Sequence, residues 1–76
     1  MTEGKYIIYE DGSTEIFPDY ENHDTHAKHH DSIPVSAGLF SNWNGKLKTF
    51  GESMTLHLQS NDEDVKVIQK AIDKMV

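Results

Sequence analysis

The chain has no cysteine. That excludes a disulfide framework and a cysteine-built zinc knuckle, and it fits a reducing compartment. Arginine is absent too, since all seven basic residues are lysines. The bidentate fork that reads phosphates or guanine edges is therefore missing. Against the lysines stand 13 acidic residues, for a formal net charge of −6. Such a balance disfavours direct binding to DNA or RNA, which depends on cations neutralising phosphates. It suits solubility, binding to basic protein surfaces, or mimicry of nucleic acid. No apolar run is long enough to span a membrane, and MTEGKYIIYEDG lacks the basic flank and apolar stretch of a signal peptide. The expected location is the cytoplasm.

Catalytic signatures are equally scarce. Ser36, Ser41 and Ser53 stand outside any GxSxG elbow. Gly38, Gly45 and Gly51 each have a turn or strand reason to be present, so none belongs to a phosphate loop. Glu52 with Asp62 to Asp64 could form a carboxylate pair, but helix capping accounts for the latter three.

What the sequence does contain is a patterned single domain, residues 1–76, with residues 1–4 expected to fray. A chain this short buries only ~60% of its unfolded surface, and oligomerisation often supplies the rest. KYIIYE, Lys5 to Glu10, reads as a strand, followed by Asp11-Gly12 and a second strand, Thr14 to Phe17. A two-residue loop pairs Ile7 with Ile16, and a three-residue loop pairs Ile8 with Ile16. Either register leaves the hairpin apolar on both faces, so both faces need cover. Pro18 ends the second strand. Asp19 to Ser32 is predicted as a short helix capped by Asp24 and running through His30, a longer helix from Pro18, or an ordered loop.

The centre of the pattern is Ile33 to Ser60, which reads as three strands in a row. Val35 to Ser41 is followed by a turn at Asn44-Gly45, the favoured pair for a type I′ hairpin, and by Lys46 to Phe50. After Gly51-Glu52, Ser53 to Gln59 alternates, with Met54, Leu56 and Leu58 assigned to the core. Ser60 and Glu63 have capping-box spacing. Val65, Ile68, Ile72 and Met75 then recur at helical spacing, widened by Val67, Ala71 and Val76. Lys70 and Lys74 fall where the helix dipole favours positive charge. The predicted fold is α+β: an antiparallel sheet of about five strands with two glycine-turn hairpins. A C-terminal amphipathic helix packs on one face, in the order β-β-(short helix or loop)-β-β-β-α. The second face would carry some of Tyr6, Phe17, Phe40, Trp43 and Phe50, covered in part by the connector or by a second copy, and a homo-oligomer is expected.

Five histidines occur, four of them between His23 and His30. If that stretch is helical, His23, His26 and His30 share one narrow arc, and His26 and His30 have the i, i+4 spacing that can place two imidazoles on one zinc ion. The HExxH pattern is absent, since the chain reads His26-Ala27-Lys28-His29-His30. The competing readings are a solvated polar connector and a pH-sensitive surface.

KYIIYEDGSTEIFP, the His at 23 with Ala27, VSAGLF, and GES with MTLHLQS together resemble small uncharacterised accessory proteins encoded by phages and prophages of gut bacteria. The positions that carry the likeness are Asp11, Gly12, Phe17, Pro18, His23, Ala27, Ser36, Ala37, Gly38, Gly51, Glu52 and Ser53. The resemblance implies a binding protein in the cytoplasm of a bacterial host. Such a protein would block a host defence complex or sequester its signalling molecule. A non-enzymatic role is therefore expected, with His23, Ser36, Ala37, Gly38, Trp43, Gly51, Glu52 and Ser53 as candidate ligand- or partner-binding residues. The partner would be a host protein or a small signalling nucleotide, the latter met by Lys46 and Lys48. The alternatives are a metal-binding module built on His23, His26 and His30, with no cofactor otherwise expected, and a small hydrolase with an inter-subunit site.

Overall fold

The computed structural model describes residues 3–75, in which six strands and two helices form an α+β fold. β1 (Glu3–Tyr9), β2 (Thr14–Phe17), β3 (Pro34–Trp43) and β4 (Lys46–Phe50) make an antiparallel sheet in the order β2-β1-β3-β4. α1 (His23–Ala27) lies between β2 and β3. β5 (Glu52–Ser53) and β6 (Leu58–Gln59) form a separate small hairpin, and α2 (Asp64–Met75) closes the chain. Among the described residues no helix is long and apolar enough to cross a membrane.

β1 is buried on both faces, which is why its sequence reads as a nearly continuous apolar run rather than an alternation. Tyr6 and Ile8 face one way and join Phe40 and Ile68, with Ile16, Leu47, Val67 and Ile72 packed around them. This is the layer between sheet and α2. Ile7 and Tyr9 face the other way and join Phe17 and Ala37, where Ala27, Leu56 and Leu58 supply the cover. The second face is thus covered by α1 over β1 and by the β5–β6 hairpin, which packs beside β3.

Several expectations change in detail. The first hairpin pairs Tyr6 with Ile16 and Lys5 with Phe17, matching neither expected register. The connection is Glu10 to Gly12: Gly12 N–H donates to Tyr9 O and Tyr9 N–H to Ser13 O, both at 2.9 Å. Gly12 supplies the positive φ of 89° that this loop needs. The new register sets Tyr6, Ile8 and Ile16 on the α2 face, since a one-residue slip exchanges faces. Tyr6 and Phe40, expected among the residues of the second face, therefore belong under α2. Of the terminus expected to fray, Met1 and Thr2 lie outside the described residues, whereas Glu3 and Gly4 pair with Ser41 and Phe40.

The continuous strand over Ser53 to Gln59 does not form. Residues 54–57 are turn, with His57 at a φ of 57°, and Met54 is 79% exposed. Ser53 Oγ accepts the N–H of Leu56, which tightens the turn, so Leu56 and Leu58 reach the core from a folded-back segment. At α2 the capping contact falls one residue later than Ser60 and Glu63: the Asp64 carboxylate reaches back to the N–H of Asn61 at 2.9 Å. The N-cap position of α1 falls on Asn22 rather than Asp24, with no side-chain capping bond, and the helix stops at Ala27. The second hairpin forms as read, with Asn44 and Gly45 at φ of 53° and 78° and Trp43 opposite Lys46. The side chains of Met75 and Val76 lie outside the described residues.

Candidate functional site

Three of the five histidines, His23, His26 and His30, are packed on aromatic rings, while His29 and His57 are exposed. His30 stacks on Tyr9 at a centroid distance of 3.6 Å, and His26 stacks on Phe17 at 3.8 Å. His23 meets the same Phe17 edge-on at 5.5 Å and is buried. Flat imidazoles cover flat aromatic rings, which a count of apolar residues in the connector does not register.

Their polar edges have separate partners. His23 Nε2–H donates to Gly38 O at 3.0 Å, and burial, set against that hydrogen bond, pushes its pKa below the ordinary histidine range. His26 lies between two carboxylates, with Nδ1 2.8 Å from Glu15 and Nε2 2.5 Å from Glu21. Burial lowers its pKa, but the Glu21 and Glu15 contacts outweigh that and raise it overall. A carboxylate oxygen at each ring nitrogen favours the imidazolium form of His26, which can donate from both. His30 lies beyond the end of α1 and off the arc that a longer helix would have shared with His23 and His26. Among the described residues no group of three His, Cys, Asp or Glu side chains is placed to hold a metal ion.

Among the described residues one serine hydroxyl meets a histidine ring, Ser13 Oγ with His30 Nε2 at 3.1 Å. Its polarity runs the wrong way for nucleophile activation. The Ser32 N–H donates to His30 Nδ1, so in the neutral ring the proton is on Nε2 and points at Ser13. Ser13 in turn donates to Asp11 Oδ1 at 2.6 Å. A base must take the serine proton. This chain of donors instead locks the first hairpin loop to the connector.

The candidate residues divide into two structural joints and one open surface. His23, Gly38, Gly51, Glu52 and Ser53 gather where α1, β3 and the β5–β6 hairpin meet. A Cβ on Gly38 would stand 2.8 Å from Phe50 O and 2.9 Å from the Ser60 side chain, and the Gly51 carbonyl accepts the Ser60 N–H. Ser53 is buried, and Ala37 is in the second-face core. Glu52 is exposed and lines a cleft of about 210 Å³ with Lys5, His23 and Met54. Ser36 belongs to the opposite face. Its hydroxyl donates to Asp64 Oδ2, which also accepts from Tyr6 OH at 2.5 Å and Asn61 N–H at 2.9 Å. Asp64 and Tyr6 are both buried, and this knot fixes the start of α2 to the sheet. Burial, followed by the adjacent Asp64 carboxylate, pushes the Tyr6 phenol well above its usual range.

Trp43 stands apart from both joints. The register of β3 with β4 puts Trp43 opposite Lys46, Ser41 opposite Lys48 and Leu39 opposite Phe50, all on the face away from α2. α1 covers the β1 side of that face and the small hairpin packs beside β3, while the strip from Trp43 to Phe50 stays open. Trp43 is 57% and Phe50 48% exposed, and Lys46 and Lys48 are exposed between them. A cleft of about 320 Å³ is lined there by Ser41, Trp43, Asn44, Lys46 and Lys48. Alternation over Lys46 to Phe50 could have flagged this strip, since Lys46, Lys48 and Phe50 share one parity. No protein-family model, curated protein or solved structure matches the chain.

Proposed function

We propose that the chain is a non-enzymatic binding protein that sequesters a small nucleotide on the open end of its sheet. The observation that carries this reading is the order Trp43, Lys46, Lys48, Phe50 along one exposed face of a strongly acidic chain. An exposed aromatic ring stacks on any base, and ammonium groups beside it take the phosphate. Trp43 and Phe50 lie four strand positions apart in register, about 13 Å at the usual rise. A ligand with two bases joined through phosphate fits aromatic platforms separated by two lysines. The likeness to phage accessory proteins supports the same role, capture of a host signalling molecule.

Trp43 is the sole tryptophan, so intrinsic fluorescence reports this site alone. Titration with cyclic and linear dinucleotides should quench it saturably. Trp43→Ala, followed by thermal shift, and Lys46→Gln with Lys48→Gln should each weaken binding about tenfold or more, the scale of one lost base stack. Fluorescence and melting temperature that stay flat through millimolar nucleotide would overturn the proposal. A doubled mass in light scattering, with Trp43 shielded from quenchers, would replace it with a self-association surface.

A further inference from the structure

The other face of the protein carries a second cationic feature that the proposed nucleotide strip does not use. Between the edge strand β2 and α2 runs a groove of about 560 Å³. Its apolar floor includes Ile16 and Val67, its hairpin end includes Thr14, and its outer wall is Lys66, Lys70 and Lys74. Three of the seven lysines thus line one groove, and among the described residues its lining holds no carboxylate. The ion pairs found among the described residues involve His26 and no lysine.

The lysine spacing needs a reason. Residues at i and i+4 are neighbours on a helix, and like charges there destabilise it. Lys74 is compensated by the helix C-terminus, but Lys70 sits mid-helix and Lys66 is in the first turn, where the dipole disfavours a cation. The three positions climb ~6 Å per step and ~12 Å in all. A chain of linked phosphates covers that span, whereas a single phosphate does not. We infer that the β2–α2 groove is a binding site for a linear oligophosphate, either free or as the tail of a nucleoside triphosphate. The ammonium groups of Lys66, Lys70 and Lys74 would take the phosphoryl oxygens, and the Thr14 hydroxyl would lie within the groove to donate to one end. A bound polyanion converts three mutually repelling charges into paired ones.

The test is calorimetric titration of the whole chain with sodium tripolyphosphate at low salt, repeated with ATP and with sulfate at matched ionic strength. Saturable tripolyphosphate binding is expected, weakening as salt rises. Lys66→Gln/Lys70→Gln/Lys74→Gln should lose it at least tenfold while keeping the parent circular dichroism spectrum. Lys46→Gln/Lys48→Gln should leave it unchanged, which separates this site from the sheet strip. In the Trp43→Ala/Lys46→Gln/Lys48→Gln background, equal affinity for tripolyphosphate and ATP makes the phosphate chain the ligand, and tighter ATP binding adds the nucleoside. The inference is overturned by no saturable heat, by an equal response to sulfate, or by binding that survives the triple substitution.

Discussion

Asp64→Ala should be the most damaging single change outside the aliphatic core. One carboxylate oxygen accepts from Tyr6 OH, Ser36 Oγ and the Asn61 N–H, joining β1, β3 and the approach to α2. Hydrogen bonds to charged groups contribute about 1.5–3 kcal/mol each. The three share one oxygen, and the carboxylate is itself buried, so desolvation offsets part of the sum. Truncation also strands the Tyr6 hydroxyl, leaves Ser36 only the Gln59 carbonyl at 3.2 Å, and removes a favourable charge from the first turn of α2. A net loss of about 3–4 kcal/mol follows. A domain of this length has roughly 4–11 kcal/mol in total, and each kcal/mol moves the melting temperature by about 4–8 °C. Far-UV circular dichroism with urea should therefore show a much lower midpoint at an unchanged slope, and thermal melts a drop of about 12–30 °C. Tyr6→Phe, which keeps the ring and removes one donor, should cost about 1–2 kcal/mol. An Asp64→Ala loss below about 1 kcal/mol with the parent slope would refute the idea that this knot anchors the helix.

Other outcomes follow from the same packing. Gly38→Ala puts a methyl 2.8 Å from Phe50 O and 2.9 Å from the Ser60 side chain, so chemical denaturation should register a loss of about 1–3 kcal/mol, and an unchanged midpoint would show that β3 and the Ser60 segment move apart freely. His26 and His23 should give stability opposite dependences on pH. His26, held above its ordinary value, contributes fully below about pH 6.5, and that contribution fades as pH rises through its folded value. The deficit of His26→Gln against the parent should shrink between pH 6 and pH 9, and a constant deficit would sink the ion-pair account. His23, held below its ordinary value, contributes above about pH 6.5 and is lost as pH falls, so His23→Gln should flatten the acid side of the parent's stability curve.

Much of the architecture was written in local pattern. Asn44-Gly45 between apolar runs specified the second hairpin, because few other pairs accept two consecutive positive φ values. The 3.6-residue recurrence of Val65, Ile68 and Ile72 specified α2 and its buried face. That KYIIYE is apolar on both sides already demanded two covering layers. What local pattern could not decide was the material of the second layer. Met54, Leu56 and Leu58 alternate like a strand, yet the chain folds back there, because Leu56 reaches the core from the turn and Leu58 from β6 while Met54 turns to solvent. The histidines look polar one at a time and become cover only when Tyr9 and Phe17 present flat faces to them.

The candidate sites divide the same way. The sequence alone determined that this is a small acidic domain with lysine as its sole permanent side-chain cation and with no catalytic signature. Tertiary structure decided which groups meet. It spent His23, Ser36, Gly38 and Ser53 on joints and left Trp43, Lys46, Lys48 and Phe50 open. It also set Lys66, Lys70 and Lys74 along a groove whose other wall comes from residues some fifty positions earlier. The reason is that a side chain's neighbours across a sheet or a helix–sheet seam are chosen by register and packing, which local periodicity does not encode.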